Sequence, residues 1–167
     1  ALARQTFPRR GRPQQTNLCL CHLTRRRVIA RAQKEKLRRE RPTQYLALDG
    51  EPPLGQKTLY WAGTRHIACM AQTKQGIHNS MILECVSWDS EHVTLRNVEG
   101  EGEFVCTHSL CKANLRSALC FTISSAQGRT IEGNLGLYDL AHPRYTLRHL
   151  YTCCSRARGF DKLSCED

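Results

Sequence analysis

Two stretches of the chain hold the residue types that recognise phosphate. Residues 121–133 read FTISSAQGRTIEG and residues 150–158 read LYTCCSRAR. In the first, an apolar run (Leu119, Cys120, Phe121, Ile123) ends in small polar residues, and Gln127-Gly128 and Arg129-Thr130 follow at once. A buried strand that stops this way hands the chain to a tight loop, where Gly128 lets the backbone come close to a ligand. The second stretch closes an amphipathic segment with Ser155-Arg156-Ala157-Arg158. That places a guanidinium on a surface, and a guanidinium forks onto phosphate oxygens where an ammonium acts only as a point charge.

Metal and disulfide chemistry are raised by ten cysteines. Cys106-Thr-His108-Ser-Leu-Cys111 is the tightest metal-like cluster, and Cys19-Leu-Cys21-His22 is the second. Neither has the paired two-residue spacing of a zinc ribbon. Cys19, Cys69, Cys85 and Cys120 sit inside apolar runs, where a free thiol behaves as a small hydrophobe. The expectation is therefore of structural thiols with no metal, and of an intracellular, reducing compartment. Residues 50–58, GEPPLGQKT, imitate a phosphate loop. A working loop needs Lys directly after its second glycine and a helix starting there; here Gln56 intervenes and two prolines stiffen the segment. It reads as a turn, and no other stretch offers a nucleotide loop.

The elements that must position these groups follow from apolar runs and punctuation. Residues 17–22 form the first strand candidate, and Thr24 is placed to cap a helix running from Arg25 to about Glu40, which Pro42 ends. Short β-rich runs at 81–88, 92–96 and 103–106, separated by turn signals, describe a small meander or barrel. A strand near 119–123, a polar loop, a strand near 134–138, His142-Pro143 and a helix from Thr146 complete the chain. Strand, loop, strand and helix in about forty residues suit a parallel α/β sheet with its site at the strand ends.

Charge is concentrated at one end. Through Gln44 there are 13 Lys and Arg against two acids, Glu35 and Glu40, giving +11, while the remainder sums to −1. A basic block of this kind meets nucleic acid or another polyanion. Residues 1–16 lack apolar periodicity and read as a disordered basic arm. At 167 residues the chain is one domain or a domain with a small insert. It opens on Ala1 rather than Met, as a fragment or a processed product does. No window approaches a membrane span, and none reads as a signal peptide.

The two phosphate-type stretches together resemble the last two motifs of superfamily 1 DNA helicases of the RecD-like and PIF-like branch. Thr122, Gln127, Gly128 and Thr130 match the first of these motifs; Tyr151, Ser155, Arg156 and Ala157 match the second, in the family's order and at its distance. The CHLTRRRVIARA segment resembles the opening of the family's second motor domain, with Arg25, Arg26 and Arg27 near a turn. The Gly76–Asn79 stretch resembles a family turn in which Ser80 stands where Gly is usual. The family's His-Lys becomes Ser124-Ser125, which removes a cationic contact but keeps two hydroxyls.

The resemblance implies a RecA-like parallel sheet flanked by helices over 17–78 and 112–167, with a small SH3-like β insert at 79–111. It implies an ATP-dependent DNA helicase in which Arg156 reaches the γ-phosphate as an arginine finger and Gln127 and Gly128 sit at the nucleotide cleft. Thr122, Ser124, Ser125, Thr130 and Arg25–Arg27 would contact single-stranded DNA. ATP and Mg2+ would be held mainly by a first RecA-like domain upstream of Ala1, so the isolated chain should be inactive. The competing reading from composition is a non-catalytic basic nucleic-acid-binding module, zinc-stabilised through Cys106, His108 and Cys111.

Overall fold

The structure, a computed structural model, describes residues 6–50 and 56–166. Its contacts divide the chain into two compact units, one holding the chain up to Lys36 and from Leu119 onward, the other Leu37–Ala118.

The first unit is built on four strands: β1 (Thr16–Cys19), β9 (Cys120–Thr122), β10 (Leu135–Leu137) and β11 (Leu163–Cys165). They pair in the order β11-β10-β1-β9, and every pairing is parallel. Leu18 of β1 lies opposite Leu137 on one side and Phe121 on the other. All three residues of β9, β10 and β11 are buried. That is the signature of parallel strands covered on both faces, and it explains why they read as apolar runs rather than alternating ones. The α/β class with a RecA-type parallel sheet holds.

Helix α1 (His22–Glu40) follows β1. It lays Val28 and Ile29 against Cys19, Cys120 and Tyr138. Its last turn carries Arg38 and Arg39, which suit the negative end of the helix dipole. Arg41 then turns to φ 45° and Pro42 closes the helix. The expected start is corrected: α1 begins at His22, so Thr24 lies inside the first turn rather than capping it.

Helix α3 (Leu147–Cys154) is the crossover between β10 and β11. Thr146 caps it through a reciprocal pair: its hydroxyl accepts from the His149 amide at 3.4 Å, and the His149 ring accepts from the Thr146 amide at 3.1 Å. The imidazole takes the place that Glu or Gln holds in the usual capping box.

The reading of residues 1–16 as a free arm is corrected over the described part. β1 already includes Thr16, Gln14 is buried, and the Pro8 carbonyl accepts from the Cys165 amide at 3.0 Å. Asn17 causes this. Its side chain accepts from the Gln14 amide at 2.9 Å and donates to the Leu119 carbonyl at 2.8 Å, pulling the preceding segment onto the sheet. Arg9, Arg10 and Arg12 remain exposed; residues 1–5 lie outside the described residues.

The second unit is antiparallel. Five strands, β4 (Arg65–Ala68), β5 (Ile82–Trp88), β6 (His92–Asn97), β7 (Glu103–Thr107) and β8 (Leu115–Ser117), pair in the order β7-β6-β5-β4-β8, beside a hairpin of β2 (Leu46–Leu48) and β3 (Thr58–Tyr60). A short helix, α2 (His108–Asn114), precedes β8. The three β runs expected in the insert are the centre of this sheet. The unit reaches beyond 79–111 because β4 pairs with both β5 and β8, residues that are far apart in sequence. Tyr60, Leu83, Val93, Leu95, Cys106 and Leu115 form its core. Of the segment 50–58 read as a turn, the Gly50 amide donates to the Gln56 carbonyl at 3.1 Å and Thr58 opens β3, while residues 51–55 lie outside the described residues. Among the described residues, no helix is long and apolar enough to cross a membrane.

Candidate nucleotide and nucleic-acid site

The site is assembled at the ends of β1 and β9 and along the loop that leaves β9. The Ile123 amide donates to the Cys19 carbonyl at 2.9 Å, so the turn after β9 lies against the end of β1. Thr122 spends its hydroxyl here, 2.9 Å from the Ser125 Oγ and 3.2 Å from the Ser124 Oγ. Thr122 itself is buried, which makes it a brace for this turn, whereas Ser124 is exposed and Ser125 partly so. Gln127, Gly128 and Thr130 are all exposed along the loop. Gly128 has φ 77° with open space around the position a Cβ would take. The glycine is required by the left-handed backbone rather than by a close neighbour.

Arg156 stands just beyond α3 and is tied to this loop. Its carbonyl accepts from the Ile131 amide at 2.8 Å, and its Nη1 donates to the Arg129 carbonyl at 3.2 Å. Nη2 donates to the Ser155 Oγ at 3.1 Å. Arg158 adds an ion pair with Glu132 at 2.5 Å, one residue beyond Ile131 and two beyond Arg156. Ile131 and Ala157 form a parallel bridge between them. The two stretches singled out in the sequence, separated by some twenty residues, thus meet side by side. Arg129 also stacks its guanidinium over Phe121, 5.8 Å from the ring centre.

The three arginines at the start of α1 separate into two kinds. Arg25 is buried, only 3% exposed, with Nη1 2.9 Å from the His22 Nδ1. It is therefore a packing residue in this structure and not a surface contact. Arg26 and Arg27 are exposed. The inward turn was readable: residue 25 precedes Val28 and Ile29 by three and four positions, so it shares their buried helical face.

One residue that the sequence did not single out organises the same turn. Asp139, just after β10, accepts at Oδ2 from the amides of Leu20 and Cys21, both at 2.9 Å, and at Oδ1 from the Thr24 hydroxyl at 2.6 Å.

All ten cysteines are free thiols. Cys106 and Cys111 are buried beside Tyr60 in the second unit's core. The Cys111 thiol hydrogen-bonds to Cys106, which holds Cys106 below the usual thiol range and pushes Cys111 up. Among the described residues, no three His, Cys, Asp or Glu side chains are grouped to hold a metal ion. In the first unit, burial pushes the Cys153 thiol up to about 12, and it packs as a neutral group 3.5 Å from the Tyr145 hydroxyl. The second unit has a groove of about 570 Å³ walled by Trp61, Trp88 and Pro42, and none of the expected site residues lines it.

No protein-family profile matches the chain and no curated protein matches it. Solved structures do. Pif1 from Bacteroides bound to single-stranded DNA superposes with a TM-score of 0.65 at 13% identity, over 91% of this chain and 40% of that one. Bacteroides Pif1 in complex with ADP-AlF4 gives 0.52 at 13% identity, over 99% and 44%. Pif1 helicase from Candida albicans gives 0.57 at 11% identity, over 90% and 44%. The chain has the fold of a part of the Pif1 helicases and spans about 40% of the length of the first of these.

Proposed function

We propose that this chain is the second RecA-like motor domain of an ATP-dependent DNA helicase of the PIF-like kind. In this reading a first motor domain holds the phosphates and Mg2+ of ATP, and this chain closes onto it. Arg156 meets the charge that develops on the transferred phosphoryl group, with Gln127 and Gly128 at the cleft. Ser124, Ser125, Thr130, Arg26 and Arg27 contact single-stranded DNA. The observation that carries the proposal is the union of the Arg156 segment with the Gln127–Ile131 loop: a shift of the loop must move Arg156, which links strand contact to nucleotide contact. The ADP-AlF4 and single-stranded DNA in the similar Pif1 structures support the same ligands here. Ten free thiols support an intracellular, reducing compartment.

A non-catalytic basic nucleic-acid-binding module is the second reading, favoured by the +11 charge of the first 44 residues. ATP hydrolysis separates the two. The isolated chain should hydrolyse nothing, while the chain joined to a first motor domain should hydrolyse ATP when single-stranded DNA is present. A joined protein that binds DNA but never turns over ATP would leave the module reading standing.

A further inference from the structure

Asp139 has φ 63°, in the left-handed region that Asp and Asn enter more readily than other side-chain-bearing residues. From that backbone its carboxylate reaches the opposite end of the first unit's chain and closes the β1–α1 turn at three points, Leu20, Cys21 and Thr24. Helix α1 has no acidic residue in its own first turn. Asp139 supplies the negative charge that the positive end of a helix dipole favours. Since Arg25 is turned inward, Arg26 and Arg27 are the exposed cations whose place this turn decides.

We infer that Asp139 is a positioning residue for strand contact: by clamping the first turn of α1 it fixes where Arg26 and Arg27 stand. This rests on the reading that the face carrying those arginines grips single-stranded DNA. Asp139→Asn keeps a residue that tolerates the left-handed backbone and can still offer one oxygen to the two amides, but it loses the negative charge and reverses the Thr24 contact, its NH2 now donating to the hydroxyl oxygen. Thr24→Val removes only the hydroxyl.

The test is a titration of the full chain with an oligothymidylate over a range of salt. It compares wild type, Asp139→Asn, Asp139→Ala and Thr24→Val, each with and without Arg26→Ala/Arg27→Ala. Asp139→Ala should weaken binding about tenfold and lower the salt slope by about 1.4, the loss of two phosphate contacts at about 0.7 each for single strands. Once Asp139 is gone, removing the two arginines should cost less than about twofold more, because coupled residues are not additive. Asp139→Asn should fall between, and Thr24→Val should lose about threefold, which carries the test where Asp139→Ala proves unfolded by circular dichroism. A purely structural role would lower stability without changing the slope. An unchanged slope in Asp139→Ala, or losses that multiply independently, overturns the inference. Amide exchange separates this from the DNA reading: Leu20 and Cys21 should exchange faster in Asp139→Ala, and unchanged exchange overturns the clamp whatever the DNA result. If the wild-type chain binds no oligothymidylate while exchange does respond, the strand-contact reading fails and takes the positioning role with it, leaving only the clamp.

Discussion

The amide of Ile131 donates to the carbonyl of Arg156 at 2.8 Å. This one bond joins the loop after β9 to the segment after α3, and the Arg156 guanidinium reinforces it by donating back to the Arg129 carbonyl at 3.2 Å. A side chain proposed to sense nucleotide is thereby mechanically part of the loop that leaves β9.

The outermost link in that junction should matter little for stability. Glu132 and Arg158 are 67% and 66% exposed, and exposed ion pairs contribute about 0–1 kcal/mol. Glu132→Gln should lower stability by less than about 0.5 kcal/mol, with the difference vanishing near 1 M salt. Paired denaturant melts at low and high salt measure this. A loss above about 2 kcal/mol would mean that the ion pair, rather than the backbone bridge, holds the segments together.

Two positions with left-handed backbone should respond in opposite directions. Ser80 has φ 70° where the resembling family has Gly, so Ser80→Gly should stabilise the chain by roughly 0.5–1 kcal/mol. Gly128 has φ 77°, and Gly128→Ala should destabilise by about 1–2 kcal/mol through backbone strain, since nothing crowds the added methyl. Thermal melts of both variants check the signs.

Acid should weaken the second unit through Glu84. Its carboxyl lies between Arg96 Nη2 at 2.8 Å and Arg65 Nε at 3.3 Å. The hydrogen bond from Arg96, then that from Arg65, holds it below the usual carboxylate value of 4.5. A depressed folded-state value means the stabilisation is fully present above the unfolded value and is lost as pH falls through the folded one. Stability measured from pH 6 downward should therefore fall as pH drops below about 4.5, and Glu84→Gln should remove this component while leaving the remaining acid dependence.

The exposed arginines of the N-terminal segment give a salt test that leaves the sheet intact. Deleting residues 1–16 would remove Thr16 from β1 and the Gln14 contacts, so substitution is the cleaner change. Arg9→Gln/Arg10→Gln/Arg12→Gln should flatten the salt slope of single-strand binding by about 2, three contacts at about 0.7 each. An unaltered slope would show that these side chains face away from the nucleic acid.

Much of the first unit was legible in the sequence because its information is local. The strands at 120–122 and 135–137 are short apolar runs bounded by polar loops, and Thr146 announces α3 by capping it. The outline of the second unit was less so. β4 and β8 become sheet neighbours only through pairing across about fifty residues, and neither run carries a mark of its partner. Asp139 was invisible for the same reason, since Leu20, Cys21 and Thr24, which its carboxylate holds, all lie near residue 20. The order of residues 14–16 depends on an Asn17 side chain folding back, which composition cannot reveal. Arg25 differs in kind: its burial follows from helical spacing, and the basic character of Arg25–Arg27 obscured it.

The central claim, that Arg156 completes an ATP site shared with another domain, is tested most directly by one rate measurement. ATP turnover stimulated by single-stranded DNA is compared between Arg156 and Arg156→Ala in the chain joined to a first motor domain, with ATP affinity measured alongside. Arg156→Ala should cut turnover by a factor on the order of 10³ or more while ATP affinity changes little, because a finger acts mainly on transition-state charge. Arg156→Lys should recover little, as a point charge cannot reproduce the fork. A joined enzyme whose turnover is indifferent to Arg156→Ala, or robust hydrolysis by the isolated chain, would contradict the account.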